Sequence, residues 1–108
     1  MKKQFYEKRS QPRYKCSFSV KIITDNKEFD GTAVNISLGG IQVVSNQLPS
    51  SISNTIRLHF KLPNIEFDTN ISGRMRWNVE NVFGMQFGDL LPADILALNQ
   101  FFKNCEKD

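Results

Sequence analysis

The sequence predicts an all-β fold, a small six-stranded antiparallel β-barrel with a C-terminal α-helix. Six short segments carry apolar residues at every second position, the period of a half-buried strand. Polar, proline- or glycine-containing stretches of turn composition separate them, and only the C-terminal end changes to helical spacing. The chain has 108 residues, 40% of them apolar with nine phenylalanines, enough for one modest core and no second domain. Strands this short are best accommodated by closure, which leaves no open sheet edge.

The first strand runs from Cys16, with Phe18, Val20 and Ile22 on one face against Ser17, Ser19 and Lys21. The run TDNKEFDG is a turn and the start of a second strand through Thr32, Val34 and Ile36, and a third strand carries Ile41, Val43 and Ser45. Residues 54–60 alternate Ile56, Leu58 and Phe60 with polar partners until Pro63, which has no N–H to give to a ladder. From Phe67 to Val79, Ile71, Met75, Trp77 and Val79 share one face, and Ser72, Arg74, Arg76 and Asn78 the other. This parity sends Trp77 to the core and leaves both arginines as solvated charges or partner contacts, not ligand contacts. VFGMQF forms the last strand. Pro92 suits the first turn of a helix, where Ile95, Leu98, Phe102 and Cys105 mark an inner stripe about 12 residues long.

Charge divides the chain unevenly. Lys2, Lys3, Lys8, Arg9, Arg13, Lys15 and Lys21 against Glu7 place six net positive charges in the first 21 residues of a chain whose overall charge is only +3. Residues 1–13 therefore read as a flexible basic arm that attracts phosphates, joined to a barrel over 14–108. No apolar run approaches the length of a membrane span and no apolar stretch follows the first lysines, so a cytoplasmic protein without membrane insertion is expected. Cys16 and Cys105 lack metal-site spacing, and the single His59 adds only one further soft ligand. No metal or cofactor is expected, and both thiols are assigned to buried or half-buried positions. No carboxylate pair or nucleophile arrangement suggests catalysis, so the chain is not read as an enzyme.

Two motifs stand out. Arg9 and Arg13 lie four apart in EKRSQPRYKC, each with a planar fork of donors suited to a phosphate or to the O6 and N7 acceptors of guanine. The turn NISLGG follows, offering the Asn35 amide, the Ser37 hydroxyl, and Gly39 and Gly40 for positive φ or close approach by a ligand. Read plainly, the arginines are solubilising charges and the turn is a glycine-rich hairpin capped by its own polar side chains.

Together these motifs resemble the PilZ domain family of bacterial cyclic di-GMP receptors, whose signature is RxxxR followed by (D/N)xSxxG. Arg9 and Arg13 match the first motif, Asn35, Ser37 and Gly40 the second, and ISGRMRW and VFGMQF resemble the family's late strands, so that the likeness covers residues 7–104. The resemblance implies that Arg9 and Arg13 hold phosphates and guanine Hoogsteen edges, that Asn35 and Ser37 contact guanine, and that Gly40 keeps the surface clear. It also places Lys8 where ligand stoichiometry is tuned, with a further phosphate contact, and Trp77 at a barrel rim beside the bound base. Asparagine at position 35, in place of the commoner aspartate, removes an anionic partner for guanine N1 and N2. The implied function is a cyclic di-GMP-binding adaptor that signals in trans to an unidentified protein effector. Two other readings compete. One is a ligand-independent docking adaptor; the other is a small nucleic-acid-binding barrel using the basic arm with Tyr6 and Tyr14 exposed, although neither DNA nor RNA is expected as a partner.

Overall fold

The computed structural model describes residues 11–48 and 53–108. Lys8 and Arg9, with most of the expected arm, lie outside the described residues.

Six strands, β1 (Tyr14–Thr24), β2 (Lys27–Ile36), β3 (Gly40–Val44), β4 (Thr55–Phe60), β5 (Thr69–Val79) and β6 (Val82–Phe87), precede one helix, α1 (Pro92–Phe102). They close into an antiparallel barrel in the order β1-β2-β3-β6-β5-β4. The β1–β2 hairpin turns through Asp25 and Asn26, at φ 52° and 62°, the left-handed pair that matches the strand twist and that Asp and Asn tolerate best. Inward residues of all six strands form the core, with Ile22, Ala33, Val43, Leu58 and Phe83 fully excluded from water.

The strands do not keep one parity. β2 holds an extra residue between Ala33 and Asn35 relative to β3, and β5 one between Met75 and Trp77 relative to β6. Each is a β-bulge, which reverses the faces of the residues that follow. In β2 the inward residues are therefore Ala33 and Ile36, not the Val34 and Ile36 of unbroken alternation. β5 begins at Thr69, leaving Phe67 exposed, and its outer half turns away from the core: Trp77 is 41% and Val79 61% exposed. The core assignment of both is thus corrected.

Helix α1 begins at Pro92, where a missing N–H costs nothing. Asp94 accepts a hydrogen bond from the Leu91 backbone N–H at 3.0 Å. Its buried side is Asp94, Ala97, Leu98 and Phe102; Ile95, expected inside, faces outward because the inner stripe falls at 94, 97/98 and 102, and Cys105 lies beyond the helix. Aromatic contacts fasten the helix end to β1: Phe102 stacks on Tyr14 at 4.3 Å, and Phe101 meets Phe18 edge-on at 5.7 Å. Tyr14 is therefore half-buried and not the exposed stacking platform that a nucleic-acid surface would need.

Cys16 and Cys105 are both free and half-buried. Burial, reinforced by the neighbouring Cys105, pushes the Cys16 thiol up to about 12 from 9.0. Because the folded value lies above the unfolded one, this contribution to stability is intact below pH 9.0 and is lost as pH rises towards about 12. Urea unfolding midpoints should therefore fall across this interval, and more steeply than in Cys16→Ala. Equal slopes for the two proteins would contradict the assignment.

Candidate functional site

These two bulges, with a third irregularity in β1 between Lys15 and Phe18, build one continuous surface. Pairing registers place Lys15 opposite Asn35, Asn35 opposite Gln42, Gln42 opposite Gly84, and Gly84 opposite Trp77. This row crosses five strands on the outer side of the barrel. Without the extra residue in β2, Val34 would stand opposite Gln42; without the one in β5, Arg76 would stand opposite Gly84. The bulges thus bring Asn35 and Trp77 to the outer face and aim two side chains at one place.

Gly84 completes the row by having no side chain. A Cβ there would sit 2.4 Å from Cε2 and Nε1 of Trp77, so the indole lies directly over the glycine backbone. Gly84→Ala is expected to lift the ring into solvent and shift the emission of the chain's one tryptophan to the red. An unchanged spectrum in a folded variant would contradict this packing.

Along the row lies a cleft of about 280 Å³ whose lining includes Arg13, Asn35, Ser37, Gln42, Arg76 and Trp77. Two guanidinium groups and no carboxylate line it. Among the described residues the ion pairs are Lys21–Asp30 and His59–Asp68, and neither Arg13 nor Arg76 takes part. Cations beside an aromatic face suit an anionic ligand with a flat ring.

A larger groove of about 870 Å³ lies elsewhere, lined by Lys21, Asp30, His59, Lys61 and Asp68 among others. Its charges answer one another. Lys21 is held by Asp30, His59 Nε2 lies 3.5 Å from Asp68, and Lys61 donates to the Ile65 carbonyl. Size alone favours this groove, but among the described residues it is the smaller cleft whose lining carries positive charge without a carboxylate, as recognition of an anion requires.

The signature turn has a structural task of its own. Ser37 Oγ accepts the backbone N–H groups of Gly39 and Gly40 at 3.0 and 3.2 Å, and Ser37 N–H donates to the Gly40 carbonyl at 2.9 Å. The hydroxyl proton remains to be given to a ligand. None of the described glycines has positive φ, so the expected left-handed freedom is not used here. Gly40 instead allows close approach: a Cβ would stand 2.4 Å from the Met85 carbonyl oxygen. Gly39 lies under the Gln11 side chain, whose Oε1 would be 2.9 Å from a Cβ at that position.

Arg13 is fixed through its backbone. Its carbonyl accepts the Asp108 N–H at 2.9 Å, Lys15 N–H donates to the Glu106 carbonyl at 2.9 Å, and Tyr14 pairs with Lys107. Residues 106–108 therefore run alongside the start of β1, and Asp108 accepts a hydrogen bond from Asn35 Nδ2. Asn35 is left only 6% exposed.

The structure thus gathers Arg13, Asn35, Ser37, Gly39, Gly40 and Trp77 about one cleft. Arg76, Gln42, Gln86 and Asp108 were not singled out by sequence reasoning. Strict alternation already places Arg76 on the outer face, as a solvated charge or partner contact; the structure finds it in the lining of the cleft, beside the Trp77 that the bulge turns outward. Arg74 remains an exposed charge outside it.

A model of the family described as the PilZ domain matches residues 7–104. The chain belongs to the PilZ domain family. Among solved structures, this PilZ domain is similar to the Bacillus subtilis inhibitor of motility, MotI/DgrA, with 26% sequence identity and a TM-score of 0.70. The match covers 88% of this chain and 49% of that one, so the chain spans about half the length of its structural relative. Among curated proteins none matches. No helix among the described residues is long and apolar enough to cross a membrane.

Proposed function

We propose that this PilZ domain is a receptor for cyclic di-GMP that passes the signal in trans to a partner protein in the cytoplasm, without catalysing a reaction. The observation that carries the reading is the cleft in which Arg13 and Arg76, in neither ion pair among the described residues, stand beside the Trp77 indole and the Asn35–Ser37 turn. Guanidinium forks fit the phosphates and the O6 and N7 edge of guanine, the indole offers a flat surface for a base, and the Ser37 hydroxyl supplies one further donor. Arg9, four residues before Arg13 in the sequence, adds a second signature fork, and Lys8 a further cation. The cleft is smaller than a whole dinucleotide, so it takes one base with its adjoining phosphate.

In this reading the ligand draws Lys8, Arg9 and Arg13 together by bridging them with phosphate oxygens, and the altered surface is what a partner reads. The Bacillus relative is an inhibitor of motility, which makes control of motility the first process to test. Binding by isothermal calorimetry to cyclic di-GMP, with GTP and cyclic di-AMP as controls, checks the reading. Saturable binding selective for the guanine dinucleotide is expected. A folded protein that binds none of the three and still captures its partner would instead be a ligand-independent adaptor, whereas salt-sensitive binding to single strands of any sequence would indicate a nucleic-acid barrel.

A further inference from the structure

The C-terminal residues meet the signature turn. Main-chain hydrogen bonds from Asp108 N–H to the Arg13 carbonyl and from Lys15 N–H to the Glu106 carbonyl, both 2.9 Å, hold residues 106–108 against the start of β1. They deliver the Asp108 side chain to Asn35 Nδ2. Among the described residues, Asp108 is in neither ion pair, and the cleft lining itself includes no carboxylate.

Guanine presents two chemically different edges. O6 and N7 accept hydrogen bonds and suit arginine, whereas N1–H and the 2-amino group donate and need an acceptor. A carboxylate offers two acceptor oxygens and no donor, which matches that donor edge. Asn35 cannot match it alone, because an amide presents one acceptor and one donor group, and here the donor is already directed at Asp108. The single Asn35 contact also leaves acceptor capacity on the Asp108 carboxylate.

From this juxtaposition we infer that Asp108 belongs to the ligand site, as the carboxylate that reads the N1–H and 2-amino donors of guanine and so sets base selectivity. The assignment rests on the receptor reading given above. It places a specificity residue outside the signature motifs, at the far end of the chain from Arg13, held there by backbone pairing. The carboxylate repels the ligand phosphates as well, so its net effect is larger on discrimination between bases than on affinity.

Asp108→Asn tests the role with little disturbance, because the new side-chain oxygen still accepts from Asn35 Nδ2 and the backbone pairing is unchanged. Calorimetric titrations of the full chain with cyclic di-GMP and with cyclic di-IMP, whose hypoxanthine lacks the 2-amino group, give the measure. The unaltered protein should prefer cyclic di-GMP by about tenfold or more, as expected for a charge-assisted hydrogen bond. In Asp108→Asn that ratio should fall towards one, with an unchanged melting temperature. Combining Asn35→Asp with Asp108→Asn moves the carboxylate to the other side of the same contact and should restore the preference.

An unchanged or larger ratio in Asp108→Asn, or tighter binding of cyclic di-GMP, overturns the assignment and makes the tail a structural clip or an obstruction. Failure of the unaltered protein to bind either dinucleotide is a different result. It contradicts the receptor reading itself, and the assignment of Asp108 falls with it.

Discussion

Arg13→Ala is expected to weaken cyclic di-GMP binding by about 1.5–3 kcal/mol, roughly 10- to 150-fold, because a guanidinium on an anionic ligand makes charge-assisted hydrogen bonds that no neighbouring group replaces. Its melting temperature should hardly move. Arg13 is solvent-exposed, is in neither ion pair among the described residues, and reaches the tail through its backbone carbonyl, which alanine retains. Calorimetry and a thermal melt on the same sample separate the two effects. Arg13→Lys should also bind poorly, since an ammonium keeps the charge but not the planar fork. Retained affinity in the Arg9→Ala, Arg13→Ala double variant would remove the proposed site.

Gly40→Ala is expected to act through the fold. The added methyl would lie 2.4 Å from the Met85 carbonyl oxygen and 3.6 Å from Gln86 Cα, where backbone and not a mobile side chain must give way. Overpacking of this kind costs about 1–3 kcal/mol, so the melting temperature should fall by roughly 5–20 °C for a domain of this size. A signature glycine that served only to keep a ligand surface clear would show the reverse pattern, with a normal melt and lost binding. Gly40→Ala and Arg13→Ala thus separate a residue that seats one strand on another from a residue that faces the ligand.

What the sequence revealed follows the same division. Alternation located all six strands, because inward residues such as Phe18, Val20 and Ile22, or Ile56, Leu58 and Phe60, repeat at the period of the backbone itself. Pro92 and the inner Leu98 and Phe102 marked the helix. Arg13, Asn35, Ser37 and Gly40 were legible as motif residues because their chemistry and spacing are local. Bulges were not. One extra residue at Val34 and another at Arg76 leave no mark on composition, yet they turn Asn35 outward and move Trp77 from the expected core onto Gly84, beside Arg76 in the cleft. Asp108 was hidden for another reason. Its contact with Asn35 spans most of the chain and depends on backbone pairing with Arg13 and Lys15, which no local pattern announces.

The role of Ser37 also becomes clearer. The plain expectation of a turn capped by its own side chains and the expectation of a ligand donor are compatible, because the hydroxyl oxygen accepts from Gly39 and Gly40 while its proton is free to point outward. The turn is therefore set before ligand arrives, which lowers the ordering cost of binding.

In the receptor reading proposed above, cyclic di-GMP sits on the outer row formed by Asn35, Gln42, Gly84 and Trp77, and not in the larger groove beside Lys21 and His59. Two-dimensional NMR of the isotope-labelled protein, titrated with cyclic di-GMP, tests this most directly. The Trp77 indole N–H, the Asn35 side-chain amide and the Gly39 and Gly40 backbone amides should shift together and saturate together, while the Lys21 and His59 amides stay in place. Shifts confined to the groove around Lys21, His59 and Asp68, or no shift at the Trp77 indole at saturation, would contradict it.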